Sequence, residues 1–212
     1  MELSGATTAN WVAKSANLLV DGYGGPARIG LLLPLHWQTV ALLLAGVATG
    51  ATVVVADEPA ALDGCELAFV HADHAGAALA AGVDDVLALS CTPFGTRLAH
   101  VQAGTDDYAA DVPTYADHWG GPVPSRLDVE TRDGILPSLP DLDVGRDDRV
   151  LVSVPPADPD GLAGLLAVLR SGAALVLVPD ARGIDLARVA AQEGVTASLG
   201  IEVPGTRALV TL

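Results

Sequence analysis

His71-Ala72-Asp73-His74 is the densest group of chemically able side chains in this sequence. Two imidazoles and a carboxylate suit a first-row metal, but an i, i+3 pair at a strand-to-helix turn supplies two ligands at best. The plainer reading is a solvated turn in which Asp73 caps the next helix, and no metal is expected. The run from Asp141 to Asp147 begins like a calcium loop, yet Gly145 stands where an acidic ligand belongs and the twelfth position is Val152. It fails as a calcium site. Gly22, Gly24 and Gly25 precede an apolar run instead of following one, so they read as a turn and not a dinucleotide loop. There is no Gly-x-Ser-x-Gly, and neither Cys65 nor Cys91 has an adjacent histidine. Both cysteines read as small buried hydrophobes, and two of them make no disulfide framework.

The elements that would position these residues follow from apolar patterning. Residues 29–56 carry no formal charge, a length that could span a membrane. Pro34, His36, Gln38, Thr39, Gly46 and Gly50 interrupt the run. It reads instead as a strand at 28–33, a helix at 35–48 opened near Pro34 and stopped by a left-handed Gly50, and a strand at 52–56. The same order returns at 149–180: arginine, apolar run, proline, a helix over 161–170, Gly-Ala, apolar run, aspartate. Two strand-helix-strand units with short apolar strands predict an α/β fold, a mainly parallel sheet with helices on both faces. A helix over 8–20 precedes the first unit. Strands at 66–70 and 85–89 flank a short helix at 75–81. A helix at 186–192 closed by Gly194, a strand at 195–199 and a short strand at 208–212 end the chain. The expected organisation is one α/β domain, 1–212, with a first unit at 1–103 and a second at 148–212. Between them, 104–147 holds ten acidic residues, three arginines and five prolines, and reads as an irregular connector with one short helix near Tyr108.

In open parallel sheets, ligands occupy the crevice beyond the carboxyl ends of the strands. Here those ends carry His36, Asp57, His71, His74, Asp158 and Asp160. Such a rim is rich in carboxylate and imidazole and poor in cations, and suits a neutral or cationic ligand better than a phosphate. The same residue types are what caps and turns require, and that reading carries more weight.

Charge narrows the partners. Lys and Arg total 11 against 26 Asp and Glu, for a net charge of −15, and Lys14 is the single lysine. No run of basic residues exists to neutralise a row of phosphates, so neither nucleic acid nor an anionic membrane surface is expected as a partner. Half of the 212 residues are hydrophobic, which excludes a disordered acidic tail. The first twenty residues lack the pattern of a signal peptide, and a cytoplasmic protein is expected.

Several stretches taken in order carry a family resemblance. N-W-V-A-K-S-A-N-L-L, then A-R-I-G-L-L-L-P, then A-L-L-L-A-G-V-A-T-G-A-T-V-V-V resemble the opening of the AMP-forming acyl-CoA synthetases. The later R-D-D-R-V-L-V-S-V-P-P-A-D-P-D-G-L-A-G-L-L-A-V-L-R-S-G-A-A-L-V-L-V and A-A-Q-E-G-V-T-A-S-L-G are similar to further segments of the same family. Together they cover about two-thirds of the chain. The whole also looks like a mostly actinobacterial group of short proteins kin to the front half of these enzymes. The resemblance implies the fold of a synthetase N-terminal half. It also implies a Thr/Ser/Gly-rich phosphate loop ending in Pro-Lys-Gly between the two units, where this sequence has the acidic stretch 104–147. The family's aromatic-Gly-x-Thr-Glu motif, ribose-binding aspartate and C-terminal lysine have no counterpart before Leu212. No catalytic residue of the family transfers to any position here, and no cofactor is expected. The expectation is therefore a non-catalytic scaffold that binds a small molecule or a protein partner. The alternative is a residual AMP-, ATP- or acyl-binding ligase-like enzyme, alone or completed by another subunit. Homo-oligomerisation stays open.

Overall fold

The computed structural model describes residues 2–122, 124, 126–136 and 138–209. The chain divides into two compact units, residues 1–135 and 136–212, each built around its own sheet.

The first unit opens with α1 (Gly5–Asn17), whose N-cap Ser4 accepts a hydrogen bond from the Thr7 N–H. It runs on as a single π-helical turn, Leu18–Gly22. Then come β1 (Arg28–Leu32), α2 (Trp37–Thr49) and β2 (Thr52–Val55). After a 3₁₀ turn at Pro59–Leu62, β3 (Leu67–His71), α3 (Ala75–Ala80) and β4 (Asp85–Leu89) follow. β1 lies between β2 and β3 and pairs with both in parallel. The chain therefore leaves β1 towards β2, steps back over it to β3, and continues outward to β4. β1 and β3 are the neighbours whose connections depart in opposite directions, the place where open α/β sheets bind ligands.

Alternation along these strands sorts the core into two layers. Leu32, Ala68, Val70, Val86 and Ala88 join Ala75 and Ala78 of α3 in one buried cluster. Ile29, Leu31, Val53, Val55, Leu67, Phe69 and Leu87 alternate with them and are also buried. At ~1.5–3 kcal/mol for each fully buried large apolar side chain, such layers supply most of what holds the sheet together.

The interval 104–147 differs from its expected role as an irregular connector. It supplies β5 (Asp106–Asp107), α4 (Tyr108–Asp111), β6 (Val129–Thr131) and β7 (Gly134–Ile135) to the first sheet. The seven strands run in the order β5-β4-β3-β1-β2-β6-β7, parallel except for the β6–β7 hairpin. Asp107 and Tyr108 explain why polar sequence is drawn in. The Asp107 carboxylate accepts from the Leu98 and Ala109 N–H groups at 2.9 Å each, and Tyr108 is fully buried against Phe69. Lys14, the single lysine, donates to the carbonyls of Pro113 and Tyr115, and Asn17 donates to those of Ala116 and His118. These side chains of α1 tie down a stretch with few apolar residues.

The second unit contains β8 (Arg149–Val152), α5 (Pro159–Ser171), β9 (Ala174–Leu177), α6 (Leu186–Glu193), β10 (Ala197–Leu199) and β11 (Arg207–Leu209). Its sheet order is β11-β10-β8-β9, all parallel. The expected last strand at 208–212 extends beyond the described residues. The internal repeat is visible in register. Arg28 pairs with Thr52 and Gly30 with Val54, while Arg149 pairs with Ala174 and Leu151 with Val176. Leu31 thus corresponds to Val152 and Val54 to Val176. Both crossover helices have 13 residues and end on a left-handed glycine, Gly50 at φ 80° and Gly172 at φ 82°. Both are buried along most of their length, which suits their apolar composition. Among the described residues, no helix is long and apolar enough to cross a membrane.

Candidate functional site at the strand ends

The rim residues sit where the strands end, but most are engaged with their own turns. His36 is the N-cap of α2: its Nδ1 accepts from the Gln38 N–H at 3.3 Å, and its Nε2 lies 3.0 Å from the Thr92 carbonyl. Burial pushes its pKa below the ordinary histidine value. His71 ends β3, and its Nδ1 accepts from the Asp73 N–H at 3.3 Å. Asp73 was expected to cap α3 and does not. His71 caps the 3₁₀ turn Ala72–His74, and α3 starts directly from that turn without a side-chain cap. The His71 and His74 rings are 6.4 Å apart, and no group of three or more His, Cys, Asp or Glu among the described residues could hold a metal ion.

Asp57, beyond β2, accepts from Arg132 at 3.0 Å, and Arg132 also lies 3.7 Å from Asp133. Arg132 and Asp133 form the turn of the β6–β7 hairpin, and the adjacent Glu130 pairs with Arg28 at 2.7 Å. The cation of this hairpin is thus already matched by carboxylates. In the second unit, Asp158 is the N-cap of α5 and accepts from the Gly161 N–H at 2.8 Å, while Asp160 is exposed in the first helical turn. Replacing Asp158 by alanine removes one cap, and we expect a loss of ~1 kcal/mol in urea denaturation, within the usual 0.5–2 kcal/mol range for caps.

Two further features of this rim take their form only in the structure. The loop 90–96, Ser-Cys-Thr-Pro-Phe-Gly-Thr, folds into a knot of hydroxyls. Ser90 Oγ donates to the Thr96 carbonyl at 2.8 Å, and the Thr92 and Thr96 hydroxyls meet at 3.0 Å. Cys91 takes φ 47°, rare for a residue with a Cβ, and burial raises its thiol to about 12. Gln38, the second feature, is 1 % exposed, and its carboxamide oxygen has no hydrogen-bond partner. The Ser/Thr/Pro/Gly content of 90–96 is the turn signal that marks the first feature. Nothing in the sequence marks Gln38 as buried.

The architecture is shared with solved enzymes. An acyl-CoA synthetase of Brucella canis superposes with a TM-score of 0.75 at 16% identity, over 94% of this chain and 42% of that one. A Mycobacterium tuberculosis fatty acyl CoA synthetase gives 0.67 at 16% identity, over 98% and 48%. ATP-bound MatB from Rhodopseudomonas palustris gives 0.69 at 14%, over 94% and 44%. This chain therefore spans less than half of each enzyme, and its fold is that of the N-terminal domain of acyl-CoA synthetases. No family model matches the chain. A "TIGR03089 family protein" of Mycobacterium tuberculosis (strain ATCC 25618 / H37Rv) is 39% identical over 206 residues, covering 92% of this chain and 84% of that protein. The chain belongs to the TIGR03089 family.

Proposed function

We propose that this protein is a binding or partner-interaction scaffold on the synthetase fold, working in the cytoplasm and not itself forming acyl-adenylates. The observation that carries this reading is the β6–β7 hairpin. By the family resemblance it falls in the interval expected to hold the ATP phosphates in the adenylating enzymes, and its turn is Arg132–Asp133, with the arginine engaged by Asp57 and Asp133. The whole interval 104–147 carries ten carboxylates against three arginines, a net of −7. Joining a carboxylate to an α-phosphate requires cations or backbone donors aimed at the phosphates while charge builds on the leaving pyrophosphate. Losing one such donor typically costs ~2.7–4 kcal/mol of barrier lowering, and the interval where the resemblance implies such a loop holds a tight hairpin here. Each unit has its own strand-end rim, with His36, Asp57, His71 and His74 in the first and Asp158 and Asp160 in the second. Their residue types favour a neutral or cationic small molecule, or a protein partner, over a nucleotide or a nucleic acid.

The purified protein is expected to show carboxylate-dependent exchange between pyrophosphate and ATP at background level. Thermal shifts against ATP, AMP, CoA and acyl-CoAs complete the test, since a ligand at 100 times its dissociation constant adds ~2.7 kcal/mol to stability. Exchange above background that disappears on unfolding, with no contaminating ligase, would establish an enzyme and end the scaffold reading.

A further inference from the structure

We propose that the outer edge of β9 is a self-association surface, at which two copies of this chain pair their β9 strands antiparallel about a two-fold axis through Val176. β9 ends the second sheet on one side, and among the described residues no strand lies beyond it. The direction of its backbone groups follows from its bonds to β8. Ala174 and Val178 turn inward, their N–H groups donating to the Asp148 and Val152 carbonyls at 3.0 and 2.9 Å. Residues alternate along a parallel strand, so Val176 also faces β8, while the N–H and C=O of Leu175 and Leu177 point outward. No turn or loop of the described residues bonds to these four groups. Unpaired groups in a row make such an edge a template for another strand.

The other open edges are guarded. β5 consists of Asp106–Asp107, β7 is the two residues Gly134–Ile135 closing a hairpin, and β11 starts at Arg207, whose guanidinium reaches Asp143 and Asp148. β9 reads Ala-Leu-Val-Leu, without charge or proline, in unbroken register with β8. Its three larger side chains are only half-buried. Charges, prolines and bulges are the usual devices that keep an edge strand from pairing with its own copy. β9 has none of them.

A second copy fits this edge because the edge is complementary to itself. With Val176 opposite its own copy, Leu175 stands opposite Leu177 of the second chain, and each such pair exchanges two N–H···O bonds. The two pairs related by the axis use all the outward groups of both strands. Beyond them the ladder stops, since the Ala173 N–H already goes to Ser171 Oγ at 3.3 Å and Pro179 has no N–H. The two Val176 side chains meet as a close pair, with Cα atoms ~4.5 Å apart. The same register sets Asp180 of one copy opposite Gly172 of the other. Arg146 lies there, because a Cβ on Gly172 would be 3.1 Å from Arg146 Cγ. Opposite charges thus meet at both ends of the pair. So short a ladder is a small contact beside the standard interface of ~1,600 Å², and a dissociation constant of ~1–100 µM is expected. Pairing here does not depend on whether either rim binds a ligand.

Sedimentation of the purified protein between ~5 µM and ~1 mM tests the pairing, at ~0.15 M salt so that the charge of −15 on each copy is screened beyond ~8 Å. The mass should rise with concentration from 21.4 kDa towards twice that value. Amide hydrogen exchange then locates the surface. Over the same range the Leu175 and Leu177 amides should slow ~3-fold or more, whereas the Val176 amide, bonded to β8, should not change. Leu175→Pro takes away one outward N–H and none that joins β9 to β8, a position where an edge strand tolerates proline. It removes two bonds from the dimer and should raise the dissociation constant at least ~10-fold. A single 21.4 kDa species up to ~1 mM would overturn the proposal. So would a dimer whose Leu175 and Leu177 amides ignore concentration, or one that Leu175→Pro leaves as tight as before. Exchange in the unaltered protein decides even where the variant folds poorly.

Discussion

Tyr108→Ala is expected to destabilise the first unit by ~3–5 kcal/mol, the range for deleting a large aromatic from a well-packed core. The ring is fully buried, packs edge-on against Phe69 of β3 with centroids 5.7 Å apart, and its hydroxyl meets Ser15 Oγ at 2.8 Å. It is the point at which an acidic, proline-rich stretch is fastened to the sheet and to α1. Tyr108→Phe separates the two contributions. It keeps the volume, and Ser15 Oγ still donates to the Trp11 carbonyl at 2.8 Å, so the loss should be only ~0.5–1.5 kcal/mol. Urea denaturation of both variants, with hydrogen exchange reporting β3, β4 and α1, is the measurement. A stretch that behaved as a surface connector would tolerate the alanine within ~0.5 kcal/mol, and that result would contradict the packing described above.

Gly200→Ala should be about as damaging in the second unit, at roughly 2–5 kcal/mol, from two sources that act together. Gly200 follows β10 at φ 78°, a left-handed conformation that costs a residue with a Cβ ~1–2 kcal/mol. An added Cβ would also fall 2.6 Å from the Ser153 carbonyl oxygen and 2.3 Å from Val154 Cγ1. The carbonyl belongs to the chain just beyond β8, which is locked to β10 by the Ser153 N–H bond to the Leu199 carbonyl at 3.0 Å. It cannot retreat without parting the strands, and overpacking of this kind adds ~1–3 kcal/mol. Gly205→Ala is the internal comparison: it has a similar φ of 82° but nothing within 4 Å of the added atom, so only the conformational part should appear. A denaturation midpoint shifted equally by the two substitutions would show that the contact at Ser153 relaxes freely.

The repeat was legible from residue order alone, because local chemistry dictates it. Val, Leu and Ile between Arg28 and Leu33, and again between Arg149 and Val154, form short strands buried on both faces. Gly50 and Gly172 stop the helices because a glycine takes the left-handed turn without strain. Asp85–Leu89 reads as a strand from the sequence and is one. The sequence also carried the family likeness, which rests on the order of its apolar runs, prolines and glycines and on no chemical motif. Tertiary structure decided what lies between. Val129–Thr131 and Asp106–Asp107 are too short and too polar to declare themselves as strands. They become strands because the open edges of β2 and β4 offer unpaired backbone groups, a non-local gain that no window of sequence reports. The same holds at the rim. His36, Asp57, His71 and Asp158 stood out as candidates by type, but only the fold shows that Arg132 engages Asp57 and that the loop 90–96 rests on Gln38 and Trp37. Contacts between residues more than fifty positions apart depend on how the sheet is ordered, and that order is set by the packing of the whole unit.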